Sequence, residues 1–305
     1  MSVYRHLTAD DLETIRRAAG VRSLGTPEPI AAGIENSNWF LTLDDAETVV
    51  LTVLEAAVDA DLPFCIALTD TLAAAGLPVP VARQLADGAR TLRIQERPAL
   101  LVQRLRGVHA ERATAAQCAA AGRMLAQMHR TAATLPAPDR PRDRDWWPAA
   151  FAGIAPTLAA DARTGLHAAL QTATATFVAC RDEPHGIIHG DFFRDNVLFD
   201  GERISGVLDF FHAAHDLLAW DLAIALNDWT MTEHAPDPAR ADALLAGYEE
   251  VRPLTAGECA ALPALRRAAA ARFWLSRLLF ARRPAARGQR KDPEEMRAWY
   301  RALSG

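Results

Sequence analysis

The stretch IIHGDFFRDNVLFDGERISGVLDF, residues 187–210, carries three oxygen-bearing side chains at a spacing that chemistry can use. Asp191 and Asn196 are five residues apart, and Asp209 follows Asn196 by thirteen. Between them VLFDGERISGVLDF reads as strand, Asp-Gly turn, strand, and a hairpin returns its far end toward its start. Asn196 and Asp209 therefore share one edge. An amide oxygen and a carboxylate are the hard ligands that Mg²⁺ takes alongside nucleotide phosphates. Asp191, in the loop ahead of the hairpin, is left to accept a hydroxyl proton. With His189, these residues meet the His-x-Asp-x-x-x-x-Asn…Asp pattern of phosphoryl transfer, where catalysis is mostly positioning and electrostatics. His189 is expected to brace the loop by hydrogen-bonding backbone, and Asp195 to cap the turn in preference to touching a second metal.

Elements on both sides must position this segment. Thr8 followed by ADDLETIRRAAG predicts a short capped helix. Residues 30–43 and 47–55 have strand character with Asp44-Asp45 as the turn, and 62–76 reads as a helix stopped by Gly76. Two more strands are expected at 90–95 and 99–105, with Arg97-Pro98 at their turn. After Gly107 the character changes to helices at 114–132, about 150–180, 217–231, 238–250 and 255–283. A proline-rich charged loop occupies 136–148. The expected class is α+β: a small antiparallel-sheet lobe over 1–104 and a mostly helical lobe over 105–305.

Composition narrows the function classes. Half of the 305 residues are apolar and 23% are charged, so a large core is available and global disorder is excluded. A net charge of −5 with interspersed signs argues against nucleic-acid binding. The most apolar late segment, 268–281, is broken by Arg272 and Arg277 and reads as a half-buried helix, not a membrane span. Cys65, Cys118, Cys180 and Cys259 lie far apart with no CxxC pair, as expected of reduced thiols in a cytoplasmic protein. No signal bears on the oligomeric state.

HGDFFRDNVLFDGERISGVLDF resembles the catalytic segment of the aminoglycoside phosphotransferase and choline kinase-like group, small-molecule kinases with a protein-kinase-like two-lobed fold. Within that group the chain is most similar to the bacterial homoserine kinases of this fold. The supporting stretches are GIENSNWFLTL (33–43), LPFCIALTDTLAAAGLPVP (62–80), DWW (145–147), DLAIALNDW (221–229), VRPLT (251–255), RFWLSRL (272–278) and KDP (291–293). The resemblance implies ATP and Mg²⁺ as cofactors, Asp191 as catalytic base, and Asn196 and Asp209 as metal ligands. It places Gly33, Asn36, Ser37 and Asn38 in the turn over the phosphates, and Gln103 to Leu105 in the hinge strand that meets adenine.

For L-homoserine the acceptor site needs an acid for the ammonium and a cation or amide for the carboxylate. The candidates are Arg194, Asp216, Asn227, Asp228 and Arg272, with Asn38 also polar and facing the loop. Arg272 is expected to pair with Asp221 or Asp228, which read as helix starters or punctuation. The rival readings are a kinase of the same fold for another small alcohol or amino-alcohol (choline, aminoglycoside or sugar type) and a nucleotide-binding pseudokinase. Trp146, Trp147, Trp229 and Trp274 would supply a choline cage. The intact Asp191, Asn196 and Asp209 disfavour the pseudokinase.

One departure from the kinase pattern stands out. The third-strand lysine that contacts the α and β phosphates is replaced by Thr52, and the only lysine in the chain is Lys291. The metals or an arginine, with Arg83, Arg104 and Arg194 as candidates, are expected to compensate, and Thr52 to donate a hydroxyl hydrogen bond. Arg194 is also a candidate for the substrate carboxylate. Thr52→Ala is expected to weaken nucleotide affinity or turnover in an ADP-release assay; if neither changed, the hydroxyl would have no such role.

Overall fold

The computed structural model describes residues 6–30, 36–44, 46–55, 62–136, 146–232, 235–282 and 291–304. Its contacts divide the chain into two compact units. The described part of the first runs to Ala74 and resumes over Val79–Leu105; the second holds Ala75–Pro78, Arg106–Arg282 and the residues from Lys291 onward.

The first unit contains α1 (Ala9–Ala19), β1 (Glu28–Pro29), β2 (Ser37–Leu43), β3 (Glu47–Val53), α2 (Leu62–Ala74), β4 (Leu92–Ile94) and β5 (Arg97–Gln103). Helix α1 starts where expected because Thr8 and Asp11 form a reciprocal capping box, and Gly20 ends it at φ 71°. The strands form one antiparallel sheet in the order β1-β2-β3-β5-β4. Alternate residues of β2 and β3 face one side, so Trp39, Leu41, Leu43, Val49, Leu51 and Val53 pack with Leu101 and the α1 residue Ile15 into one core. The turn between β4 and β5 differs from expectation. It is made by Gln95 and Glu96, both at positive φ, and Arg97-Pro98 already belongs to β5. Two consecutive left-handed residues give the hairpin twist that matches paired strands, and Pro98 is tolerated because it lies near the strand's start.

The second unit contains β6 (Val108–His109), α3 (Ala115–Ala132), α4 (Trp146–Ile154), α5 (Ala160–Ala179), β7 (His185–Ile188), β8 (Val197–Asp200), β9 (Arg203–Val207), β10 (Ala214–Leu217), α6 (Leu218–Thr230), α7 (Pro238–Glu249), α8 (Ala256–Ala281) and α9 (Pro293–Ala302). Helices α3 and α8 begin at the capping boxes of Thr114 and Thr255. The helical stretch expected over 150–180 is two helices, separated by a 3₁₀ turn containing Pro156. Helix α9 was not expected, although Asp292 caps it and Pro293 occupies its first turn. The expected hairpin is present as β8 and β9, and β7 pairs antiparallel with β10. No helix among the described residues is long and apolar enough to cross a membrane.

Helices α3 and α7 approach closely through two glycines. A Cβ on Gly122 would overlap the Leu244 carbonyl oxygen, and a Cβ on Gly247 would overlap that of Ala119. This contact joins His129 on α3 to Tyr248 on α7 by a 2.8 Å hydrogen bond. Gly122→Ala is expected to force the helices apart and cost about 1–3 kcal/mol, read as a lower urea midpoint at unchanged slope.

Candidate active site

The segment between β7 and β8 turns on Gly190, whose φ is 77° and whose Cβ, if present, would overlap the His212 carbonyl oxygen. Only glycine meets both conditions. The next residues are pinned from below: Phe192 and Phe193 are buried, Trp229 Nε1 donates to the Phe192 carbonyl at 2.9 Å, and Phe193 packs on Phe273. Arg194–Asn196 then form one 3₁₀ turn that leads into β8. Asp191 is thus held on a backbone fixed at both ends.

His189 braces this loop as its position implied. Its Nε2–H donates to the Leu208 carbonyl at 2.9 Å, so Nδ1 is the acceptor, and it takes the Asp191 amide at 3.2 Å. Burial lowers the pKa of the ring, consistent with this neutral tautomer. Both nitrogens are engaged, so Asp191 stands as the loop's candidate base.

Asn196 does two things at once. Its Nδ2 donates to the Asp191 carbonyl at 2.9 Å and to the Asp191 carboxylate at 3.0 Å, which orients the candidate base. That geometry turns the amide oxygen the other way. The Leu208 amide donates to the Asn196 carbonyl at 2.8 Å, so Asp209 follows at the same end of the hairpin. Asp209 sits at φ 62°, ψ 66°, a left-handed conformation uncommon for a residue other than glycine. One amide oxygen and one carboxylate are too few to enclose a metal, and no group of three His, Cys, Asp or Glu among the described residues could hold one. An all-oxygen, incomplete donor set suits Mg²⁺, which keeps waters and takes phosphate oxygens for the remainder.

The residue that sequence reasoning missed is Asp221. It lies in the first turn of α6 with no exposed surface, and its carboxylate accepts the His189 amide at 2.7 Å and the Gly190 amide at 2.9 Å. His129 Nε2 meets the same carboxylate at 3.0 Å, and Tyr248 holds the other nitrogen of His129. Arg252 continues the chain, donating to the Tyr248 hydroxyl at 3.1 Å and to Glu258 at 2.8 Å. Burial alone would raise the Asp221 carboxyl; the hydrogen bond and charge of His129, with His189, outweigh it and hold the pKa below the ordinary value. An acid inside the apolar run LLAWDLAIAL was the available signal, because a buried carboxylate requires donors.

In the first unit Thr52 is buried on β3, opposite Asn38 on β2 and Leu100 on β5. Ser37, beginning β2, donates to Glu55 at 3.0 Å, and Asn36 is the half-buried residue before it. Gln103 ends β5 with its amide bonded to the Val81 carbonyl, and Leu105 follows half-buried. Gly33 lies outside the described residues. Of the candidate arginines, Arg83 pairs with Glu47 at 2.6 Å and Arg104 stacks 4.2 Å over Phe40.

In the second unit Arg194 and Asp228 come together. The Arg194 amide and Nε both reach one Asp228 oxygen, at 2.8 and 3.0 Å, and Nη1 donates to the Glu111 carbonyl. Burial and the nearby Asp195 raise the Asp228 carboxyl against the pull of Arg194. Arg194 also borders a cavity of about 600 Å³ with Met231, Arg240, Glu295 and Trp299. Asn227 turns to α8, where it exchanges hydrogen bonds with Arg266 at 2.7 and 3.0 Å. Asp216 is buried on β10, bonded to the Leu217 amide, and the Arg272 guanidinium lies 3.9 Å over Phe273. Trp147, Trp229 and Trp274 are core residues, which removes most of the aromatic cage. Asp195, expected to shape the turn, also holds Lys291 at 2.6 Å.

A family model described as the phosphotransferase enzyme family matches residues 26–254, and the chain belongs to that family. Its fold is the protein-kinase-like fold of these enzymes: the amicoumacin kinase, solved with AMP-PNP and Ca²⁺, superposes with a TM-score of 0.75 at 14% identity, over 96% of this chain and 92% of the other. The homoserine kinase of Pseudomonas aeruginosa is 42% identical over 284 residues, 92% of this chain and 89% of the relative. That of Neisseria meningitidis is 39% identical over 308 residues, 97% and 98% of the two chains.

Asp221 generates a stability prediction. A carboxyl whose pKa is depressed on folding stabilises the protein above its unfolded value, about 3.9, and that contribution is lost as pH falls through the folded value. Asp221→Asn sets an NH₂ against one of the two backbone amides. It is expected to cost about 3–5 kcal/mol at neutral pH and to make the loss of stability below about pH 4 shallower than in the parent. Urea midpoints between neutrality and acid measure both effects.

Proposed function

We propose that the protein transfers the γ-phosphate of ATP to the hydroxyl of L-homoserine, giving O-phospho-L-homoserine for threonine synthesis, with Mg²⁺ as the metal. The observation that carries the reading is the Asp191–Asn196 hydrogen bond: the Asn196 amide orients the base, and the backbone pairing of Asn196 with Leu208 sets Asp209 at the same end of the hairpin. Near-full-length relatives that bear the name homoserine kinase support the choice of acceptor. In this reading residues 1–104 form the nucleotide-binding lobe and 105–305 carry the catalytic, metal and substrate groups.

Asp191 accepts the hydroxyl proton as the oxygen attacks, and Asn196 keeps its carboxylate in line. Asn196 and Asp209 would hold Mg²⁺, which offsets the phosphate charge when bound. Asn36, Ser37, Asn38 and Thr52 would contact the phosphates, with the Thr52 hydroxyl in place of the usual lysine, while Gln103 and Leu105 would offer backbone groups to the adenine. The carboxylate of Asp228, already set against Arg194, suits the substrate ammonium. A cytoplasmic setting fits this reading, since ATP and amino-acid intermediates are found there.

Asp191→Asn is expected to lower kcat by about 10²–10⁴-fold, the usual share of a general base, with an unchanged melting temperature; retained turnover would remove Asp191 from the role. An ADP-release panel of homoserine, choline, an aminoglycoside and a sugar should favour homoserine. Preference for another acceptor would overturn the substrate assignment, and nucleotide binding without turnover on any would favour a pseudokinase.

A further inference from the structure

Lys291 is the one lysine in a chain whose other basic residues, among 33, are all arginine. It immediately precedes Asp292, the N-cap of α9, and so its backbone is fixed by the start of a helix. Its ammonium is paired within the protein. It lies 2.6 Å from Asp195 Oδ2 and 4.9 Å from the centre of the Phe193 ring, both residues of the loop that carries Asp191. The side chain keeps 29% of its surface exposed, so it is only partly enclosed. Burial lowers its pKa, but the hydrogen bond and charge of Asp195, with the charges of Asp191 and Asp228, outweigh burial and hold the pKa above the ordinary lysine value. Lysine offers three donors on a compact charge, and among the described residues one carboxylate and one ring face do not consume them.

Arg194, the neighbouring cation, is more fully committed: its Nε serves Asp228 and its Nη1 the Glu111 carbonyl. The surroundings of the candidate base therefore hold a cation with remaining donors beside two further acids, Asp195 and Asp228. A zwitterion fits that arrangement, its carboxylate on the ammonium and its own ammonium on an acid. A phosphate chain does not, because it carries no positive end to meet the acids.

Resting on the reading of the protein as a homoserine kinase, we propose that Lys291 binds the α-carboxylate of the amino-acid acceptor and so sets the preference for an amino acid over an amino-alcohol. Asp195 is then a positioning residue: it holds the ammonium over the loop so that the acceptor hydroxyl arrives at Asp191. This assigns a task to a residue outside the phosphoryl-transfer pattern.

The test compares L-homoserine with 3-amino-1-propanol, the same alcohol without its carboxylate. Turnover of homoserine by the unmodified enzyme is the prior condition, and its absence would sink the functional reading and this proposal with it. Given that turnover, Lys291→Met is expected to raise the KM for homoserine about 10- to 100-fold, the worth of one charge-assisted hydrogen bond. KM for ATP and the slow rate on 3-amino-1-propanol should stay within about twofold, inside the scatter of ordinary surface substitutions. Lys291→Arg should restore most of the homoserine affinity. A merely structural ion pair would instead change both acceptors alike, and an unchanged homoserine KM would overturn the proposal outright. Should the substitution unfold the protein, acetylation of the folded enzyme offers a second route, since Lys291 is its only side-chain amine. Acetylated parent should show the same rise in homoserine KM while acetylated Lys291→Arg does not; equal behaviour of the two would refute the assignment.

Discussion

A carboxylate without access to water must find its hydrogen bonds within the protein, and Asp221 finds them in the two backbone amides that begin the loop of the candidate base. The same interaction satisfies a buried charge and fixes the backbone ahead of Asp191. His129, Tyr248, Arg252 and Glu258 extend it through α3, α7 and α8, so three helices are tied to one turn. The close packing of α3 on α7, which two glycines allow, serves that chain directly. Removing one member of such a network leaves the others buried and unsatisfied, which is why it confers rigidity.

Rigidity at the loop has a chemical purpose. Phosphoryl transfer asks little covalent work of a protein and a great deal of placement. Gly190 and Asp209, both at positive φ, bend the chain at the two ends of the segment, and the packed rings of Phe192, Phe193, Trp229 and Phe273 keep it from relaxing. Asn196 ties the candidate base to the hairpin edge through a single amide. Geometry that a flexible loop would have to assemble on binding is present beforehand.

Charge is arranged with equal economy. The first unit has no lysine, and two of its arginines are engaged locally, one with Glu47 and one on Phe40. Around the loop that carries Asp191, by contrast, Arg194 and Lys291 stand with Asp191, Asp195 and Asp228. Such a mixed field does not suit a simple anion. It suits a small molecule carrying both signs, which agrees with an amino acid as acceptor.

The sequence by itself determined much of this. The hairpin that brings Asn196 and Asp209 to one edge is encoded locally, by strand alternation and an Asp-Gly turn, and the capping boxes of Thr8, Thr114 and Thr255 mark their helices just as locally. The strand-rich then helical order follows from periodicity in the same way. Where a rule was local but ambiguous, the reading slipped: the Arg97-Pro98 turn proved to be Gln95-Glu96, because proline near a strand's start and proline in a turn look alike in sequence. Asp221 read as helix punctuation, Asp195 as a turn former, and Lys291 only as the chain's one lysine. Only tertiary structure decided these, since each depends on a partner remote in the chain: Asp221 on amides about thirty residues away, and Asp195 on Lys291 beyond a further domain's worth of helices. Periodicity and capping specify what a residue does to its own element; which buried charge meets which donor is settled only when the elements pack.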